Sequence, residues 1–276
     1  MSWPGRLNLR YTRDGDRTIA LDRHEGPLRV LQRLYPEGGA ICHHVLVHPP
    51  GGIVGGDTLE IDATLEAGTH ALVTTPGATR FYRSAGAAAL QQVQARVAEG
   101  ARLEWLPLET IAYRDCIAVN RMRFELAPGA EMIGWDLLAL GLPAAGEPWE
   151  RGRYEQHLEL PDLWLERARI EADDRTLLDG PLGWAGRRVL GTMWFSGGSA
   201  LGRDRASRLV ELAREVIDAS PLAMQAGVSA LDGRLIVLRV LAERVEPAMQ
   251  LLVAVRAAWR RQAWQLEPCP PRIWRT

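Results

Sequence analysis

The repeated segment Thr64-Leu-Glu-Ala-Gly68-Thr-His-Ala-Leu72 decides the fold that this sequence predicts. Its pattern recurs in Arg96-Val-Ala-Glu-Gly100-Ala-Arg-Leu103 and in Glu125-Leu-Ala-Pro-Gly129-Ala-Glu-Met132, with turn glycines about 30 residues apart. In each copy a short strand-like segment leads into a tight turn, and a second such segment follows. Glycine can adopt the positive φ of such a turn without a steric penalty. The repeat therefore predicts strand–turn–strand units.

Strand-like segments surround these turns, and a lone two-stranded unit cannot bury its apolar face. Pro161-Asp162 and Asp232-Gly233 indicate two further turns of the same kind. We therefore expect a mainly β fold of stacked β-hairpins or β-helical sheets, β-rich over residues 1–200. The predicted strands span residues 58–65, 70–74, 90–97, 102–106, 122–126 and 131–137.

Two helices are predicted in the C-terminal third. Residues 204–219 and 247–265 both carry apolar side chains at helical spacing. The Pro-rich tail, residues 267–276, is expected not to be helical. Its Trp274 is expected either to dock on the core or to stay exposed for a partner. All of these elements are expected to form a single domain over residues 1–276.

The composition argues against several classes of protein. The chain has 276 residues, with 33 basic and 34 acidic side chains and a net charge of −1, which does not suit a general nucleic-acid or membrane-surface binder. Every one of the basic residues is Arg, so the Lys of a P-loop, of a pyridoxal phosphate site or of a kinase is missing. No apolar run is long enough to span a bilayer, and residues 1–13 lack the apolar segment of a signal peptide. We expect a cytoplasmic protein.

Two Gly-containing loops carry candidate binding residues. His48-Pro-Pro-Gly-Gly-Ile-Val-Gly-Gly-Asp57 leads into a strand pattern and matches no nucleotide-binding motif, so it predicts a tight crossing that fixes His48 and Asp57. Thr74-Thr-Pro-Gly-Ala-Thr-Arg80-Phe-Tyr-Arg83 offers Arg80 and Arg83 to an anion or a partner carboxylate. The alternative for the second loop is a turn whose Arg side chains pair with local acids.

Cys42, His43, His44 and His48 offer thiolate and imidazole donors that suit zinc, nickel or copper. Side chains alternate along a strand, so Cys42 and His44 are expected on one side and His43 on the other. The alternative is that these residues serve core packing and hydrogen bonding.

Carboxylates recur beside aromatic residues along the chain. On stacked β units, Glu104 and Asp136 are expected to line one face, where paired acids would serve hydrolysis or an oxygen-lined path for a divalent ion. The alternative is that each carboxylate is a solvated strand residue. No Ser has the context of a nucleophile elbow, so an enzyme would depend on carboxylates alone.

Four consecutive motifs resemble the family of urease accessory proteins called UreD or UreH. They are residues 48–57, residues 74–84, residues 103–111, and Gly134-Trp-Asp136 with Gly146-Glu147, which match in order and in spacing. Arg80 stands where Lys is usual and Asp136 where Glu is frequent, and both keep the charge. The similarity is strong over about residues 44–152.

This resemblance implies a function that the composition does not show. UreD-like proteins are not enzymes, but bind the urease apoprotein and the helical partner UreF, which recruits the nickel-carrying GTPase UreG. The assembly, expected to be dimeric through UreF, delivers Ni²⁺ to urease through an internal tunnel of the mainly β fold. Nickel would be in transit, with no metal held permanently.

A metal in transit has to be bound loosely at each step, which suits carboxylates, waters and single imidazoles. We therefore assign the nickel path to Asp57, Glu104, Asp136, Glu171, His44 and His48. The other motif or partner-binding candidates are Arg80, Arg83, Glu109, Glu147 and Trp274, and the C-terminal helix with Trp274 is predicted to contact UreF. Two other functions stay open: a β-helical carbohydrate-active enzyme with paired carboxylates, and a structural adaptor that opens urease without conducting metal.

Overall fold

The computed structural model describes residues 3–142 and 145–275, and over these residues the chain forms two β-sheets of seven and eleven strands. In chain order the strands are β1 (Pro4–Asp14), β2 (Arg17–Glu25), β3 (Arg29–Leu34), β4 (Ile41–Val47), β5 (Thr58–Leu65), β6 (His70–Thr74), β7 (Thr79–Phe81), β8 (Ala89–Val97), β9 (Arg102–Trp105), β10 (Thr110–Ala112), β11 (Cys116–Leu126), β12 (Glu131–Leu142), β13 (Glu147–Pro148), β14 (Gly152–Leu160), β15 (Trp164–Glu171), β16 (Val189–Gly197), β17 (Ala226–Asp232) and β18 (Leu235–Ala242).

Successive strands of the repeat alternate between the two sheets. Strands β5, β8, β11 and β14 are parallel neighbours in the seven-stranded sheet, and β4, β6, β9 and β12 are parallel neighbours in the eleven-stranded sheet. Each repeat is therefore one coil of a β-helix, because its two strands pair with the preceding and following coils and not with each other. The expected mainly β fold with stacked sheets is confirmed in its β-helical form.

The glycine turns of the coils stack on one another. Gly68, Gly100 and Gly129 all have positive φ, between 65° and 76°, and the Gly68 amide donates a hydrogen bond to the Glu99 carbonyl of the next coil. The two further turns predicted at Pro161-Asp162 and Asp232-Gly233 are present between strands, but they are not of the same kind as the coil turns. They close antiparallel hairpins inside one sheet, between β14 and β15 and between β17 and β18.

The described residues also form three α-helices: α1 (Arg175–Asp179), α2 (Arg203–Asp218) and α3 (Val245–Trp259). A π-helical turn, Arg260–Trp264, extends α3. The two predicted helices are thus present, with ends shifted by one or two residues. None of the described helices is long and apolar enough to cross a membrane. The tail was expected to be non-helical, but it ends in one 3₁₀ turn (Arg272–Arg275) directly after its last proline.

The eleven-stranded sheet is covered on both faces. One face packs against the seven-stranded sheet, and we call the space between them the inter-sheet interior. The other face, which we call the helix face, packs against α2 and α3. Side chains alternate along a strand, so Leu103 and Trp105 enter the inter-sheet interior whereas Glu104 and Leu106 lie on the helix face. This division decides where each candidate residue can act.

Candidate functional site

Glu104 is fully buried on the helix face, where three basic side chains surround its carboxylate. Arg256 Nε donates to Oε2 over 2.7 Å, His70 Nε2 lies 3.0 Å from Oε1, and Arg260 Nε lies 3.6 Å from Oε1. Burial raises the pKa of Glu104, but the charges of Arg256 and Arg260 and the His70 bond outweigh it and hold this pKa well below its usual range. The carboxylate is therefore charged, with both oxygens in use.

This contact extends into a network that ties helix α3 and the tail to the sheet. Glu37 accepts from Arg260 over 2.7 Å and lies 2.8 Å from His43 Nε2. The Pro268 carbonyl accepts from Arg256 over 2.7 Å and from Arg260 over 2.9 Å. We refer to Glu37, His43, His70, Glu104, Arg256 and Arg260 as the Glu104 network. These bonds hold helix α3 and the tail against the sheet, and we call this arrangement a structural clamp.

Asp136 is a second buried carboxylate, 5% exposed, in the inter-sheet interior. Gln156 Nε2 donates to its Oδ2 over 2.9 Å and Asn120 Nδ2 to its Oδ1 over 3.4 Å. No Arg or His within the described ranges forms an ion pair with it. Burial raises the pKa of Asp136 to about 6, with a further contribution from the charge of Glu166, while the Gln156 bond lowers it. Within the described part of the chain, its charge is thus held by neutral amides alone.

A line of polar side chains connects Asp136 to a cavity at the surface. Gln91, Asn120 and Gln156 occupy paired positions on β8, β11 and β14, and Gln91 Nε2 donates to Asn120 Oδ1 over 3.3 Å. Gln91 also lines a cavity of about 240 Å³ beside the first Gly-rich loop, together with His48 and Arg80. We call the line from this cavity through Gln91, Asn120, Asp136 and Gln156 the polar path.

Two indole nitrogens in the inter-sheet interior, Trp105 Nε1 and Trp194 Nε1, lack a partner among the described side chains and backbone. Both indole rings pack against Phe124, with ring centroids 6.1 and 5.7 Å away. Buried polar groups are normally hydrogen-bonded, and water supplies the bond where protein does not. We therefore expect water beside the polar path.

The histidines and cysteine of the predicted metal cluster do not come together. Cys42 and His44 share the inter-sheet interior, as the alternation predicts, and His43 lies in the Glu104 network on the other face. His44 Nδ1 lies 2.8 Å from Tyr11 Oη, and its Nε2 has no partner among the described residues. Across residues 3–142 and 145–275, no three His, Cys, Asp or Glu side chains are grouped so that they could hold a metal ion.

Comparison with known proteins identifies the family. A family model described as UreD urease accessory protein matches residues 4–275. The chain belongs to the UreD family. It is 70% identical over 278 residues to the urease accessory protein UreD of Leptothrix cholodnii, with 100% of both chains covered. It is also 57% identical over 274 residues to UreD of Paracidovorax citrulli, with 99% of each chain covered, and 56% identical over 276 residues to UreD of Variovorax paradoxus, with 100% of each covered. The resemblance inferred from the four motifs is confirmed.

Within this UreD fold, Glu104 and Asp136 lie on opposite faces of one sheet, so the expectation that they line one face is wrong. In the parallel register of β9 and β12, Glu104 is paired with Ile133 and Trp105 with Gly134, and paired residues point to the same face of the sheet. Asp136 follows Gly134 by two residues and shares the side of Trp105. The paired acids on which the carbohydrate-active enzyme depended are therefore not formed by these two residues.

Two further candidates lie away from the polar path. Glu171 is on the outer face of the seven-stranded sheet, where it accepts a 2.6 Å hydrogen bond from Arg169. Trp274 is docked: its Nε1 donates to Thr74 Oγ1 over 2.8 Å, and its ring packs 5.3 Å from that of Trp135. Of the two alternatives for Trp274, docking on the core is the one that the structure shows, and the 3₁₀ turn lies where the tail folds back onto the helix face.

Of the two predicted residues in the Gly-rich loop, His48 lines the cavity at the start of the polar path. Asp57 is buried and accepts from the backbone amides of Trp3 (3.0 Å) and Val54 (3.2 Å), which closes the loop. His48 is half-buried beside the cavity, and burial lowers its pKa, partly offset by the charge of Asp57. These contacts agree with the tight crossing that the glycines predict.

The remaining motif residues lie around the same surface. Arg80 lines the 240 Å³ cavity, and its Nε is buried without a hydrogen-bond partner among the described residues. Arg83 and Glu147 line a separate surface depression of about 590 Å³. Glu109 is half-buried, and its carbonyl accepts from the Thr79 amide over 2.9 Å.

The sequence interpretation missed the residues that surround both carboxylates. Asn120 and Gln156 are polar side chains in the otherwise apolar inward rows of β11 and β14, and that interruption of the alternation is a signal that could have found them. Arg256 and Arg260 sit on the buried side of a helix, where an unpaired Arg is rare. That position predicts a buried acid as a partner, although not which one.

Proposed function

We propose that this protein works in the cytoplasm with UreF and UreG to deliver Ni²⁺ to the urease active site, and that the ion passes along the polar path. Membership in the UreD family establishes a role in urease maturation. The observation that carries the nickel path is Asp136, a buried carboxylate that, among the described residues, is held only by amides in an interior with unsatisfied polar atoms. The protein itself catalyses no reaction in this proposal.

The chemistry of the path suits a divalent ion in transit. Asp136 is mostly ionised at pH 7 because its pKa is about 6, so it offers one negative charge. The amide oxygens of Gln91, Asn120 and Gln156 and bound water add neutral oxygen ligands. One charge with neutral oxygens attracts Ni²⁺ without holding it in a closed cage.

Glu104 does not fit this role. Both of its oxygens are bonded to basic side chains, and Arg256 and Arg260 would repel a cation that approached it. His48, which lines the cavity, Asp57, in the same Gly-rich loop, and His44, deeper in the inter-sheet interior, remain in the proposed path. The dimeric assembly through UreF is likewise part of the proposal.

The test is nickel loading of apo-urease by the full accessory complex, with Asp136→Asn compared with Glu171→Gln as a matched surface control. We expect Asp136→Asn to lower the nickel content and activity of urease on the order of tenfold at limiting Ni²⁺. Co-purification of each variant with urease verifies that the complexes form. Normal loading by Asp136→Asn in an intact complex would contradict the path and favour the structural adaptor.

A further inference from the structure

An ion pair closes the edge of the inter-sheet interior at the end far from the cavity. Strand β15 is the last strand of the seven-stranded sheet, and β18 is the last but one of the eleven-stranded sheet. Glu166 points inward from β15 and its side chain is 15% exposed, whereas Arg239 on β18 is 50% exposed. Their side chains bond to each other across the gap between the sheets. The carboxylate is thus inside and the guanidinium extends toward solvent.

The strand registers place this pair in line with Asp136. On the eleven-stranded sheet, Asp136 pairs with Thr192, and Thr192 pairs with Arg239, so the three occupy one row on the inward face. Neighbouring strands are about 4.8 Å apart, which puts the backbones of Asp136 and Arg239 about 10 Å from each other. On the facing sheet, Gln156 pairs with Ala168, two residues from Glu166. The charge of Glu166 also raises the pKa of Asp136, as expected for neighbouring carboxylates.

The pair also differs from the Glu104 network in how readily it can open. Arg256 and Arg260 are fully buried, so that neither can leave Glu104 without stranding a charge. Arg239 already has half of its side chain in water, and a long, flexible cation at such a site loses little when it turns into solvent. A divalent ion between Asp136 and Glu166 would replace the charge that Arg239 supplies.

We propose that Glu166 is the carboxylate that follows Asp136 on the nickel path, and that Arg239 neutralises it until the arriving Ni²⁺ displaces the guanidinium into solvent. The inference rests on the proposed function and extends it, because it assigns an opening of the path to the edge between β15 and β18. It also assigns different roles to the two partners of one ion pair. Glu166 binds the metal, whereas Arg239 only forms an ion pair with the Glu166 carboxylate while no metal is bound there.

This difference makes the inference testable in the nickel-loading assay with the full accessory complex and NiCl₂ as the probe. The variants are Glu166→Gln and Arg239→Gln, with Arg234→Gln as the matched control. Arg234 forms another bond at this edge, between the two hairpin turns, from its guanidinium to the Asp162 carbonyl over 3.1 Å, without involving an inward carboxylate. Co-purification with urease checks that each variant folds and assembles.

We expect Glu166→Gln to lower nickel loading on the order of tenfold, while Arg239→Gln and Arg234→Gln load normally. Normal loading by Glu166→Gln would overturn the inference. So would an equal loss in Glu166→Gln and Arg239→Gln, since both variants break the same ion pair and a structural tie needs both partners. Asp136→Asn in the same assay separates the two proposals. If it fails to load while Glu166→Gln loads normally, the path stands and only its opening is wrong; if it loads normally, both proposals fail.

Discussion

Glu104 and Asp136 lie on adjacent parallel strands of one sheet, both buried, yet their surroundings are opposite in kind. On the helix face, two Arg and one His surround Glu104 and hold its pKa well below the usual range. In the inter-sheet interior, two amides hold Asp136, and burial raises its pKa to about 6. Both carboxylates are buried, so the opposite shifts of their pKa values come from the groups that contact them.

The comparison separates a charge used for folding from a charge left available for a ligand. An ion pair in the core satisfies each charge with the other, and removing one partner leaves the other buried and uncompensated. A buried carboxylate without a cationic partner destabilises the folded state, because nothing offsets the desolvation of its charge. Such destabilising charges are typical of functional sites.

Glu104→Gln is expected to lower the free energy of unfolding by about 3–5 kcal/mol, because it leaves Arg256 and Arg260 buried without their anion. Urea denaturation at pH 7 measures the loss, with Glu109→Gln, half-buried and outside any described ion pair, as the control. The wild-type contribution is present above pH 4.5 and decreases as the pH falls toward the depressed pKa of Glu104. A loss below 1 kcal/mol would show that the Glu104 charge is not needed for the clamp.

Trp274→Ala is expected to lower the free energy of unfolding by about 2 kcal/mol, because the ring covers Arg256 and packs on Trp135. Trp3→Ala is the control, since that side chain is mostly exposed. The same denaturation experiment measures both variants. An effect no larger than that of Trp3→Ala would mean that the tail does not belong to the helix-face structure and is free to contact a partner.

Asp136→Asn is expected to act in the opposite direction and raise the free energy of unfolding at pH 7 by on the order of 1–2 kcal/mol. The folded-state pKa, about 6, lies above the reference value of 3.8. The stability that the protonated carboxyl provides is therefore complete below pH 4 and is lost as the pH rises through 6.

Urea denaturation at pH 4 and pH 7 compares Asp136→Asn with wild type. The stability difference between the two proteins should grow with pH over this range, whereas titration of the other groups cancels in the comparison. A variant less stable than wild type at pH 7 would contradict the contrast between the two carboxylates, because the Asp136 charge would then stabilise the fold as the Glu104 charge does.

The coils of the fold could be predicted from local signals. The glycine turns, the alternation of β5 and the short apolar run of β6 indicate strands whose ends agree with the structure. What such signals do not contain is the partner of each strand, since pairing is fixed by contacts with distant coils. The same repeat therefore suited stacked hairpins and a β-helix equally well. Only the strand registers decide between these two arrangements.

The faces of the two carboxylates could also have been predicted, because the repeat itself contains this information. Glu104 stands four residues after turn glycine Gly100, and Asp136 stands seven residues after the equivalent Gly129. An even and an odd offset place side chains on opposite faces of a sheet. By contrast, the partner Arg256 lies 152 residues from Glu104, and no local pattern predicts that contact.

Glu171→Gln is expected to have the smallest effect, within 0.5 kcal/mol of wild type in unfolding and without change in nickel loading. Its side chain is 35% exposed on the outer face of the seven-stranded sheet, and water screens its pair with Arg169. Glu171 is a third kind of carboxylate, because its charge stays in contact with water and its partner Arg169 is exposed. If loading by Glu171→Gln fell as far as loading by Asp136→Asn, nickel would have to travel over the outer face of that sheet. Burial without a cationic partner would then no longer distinguish the carboxylates that carry metal.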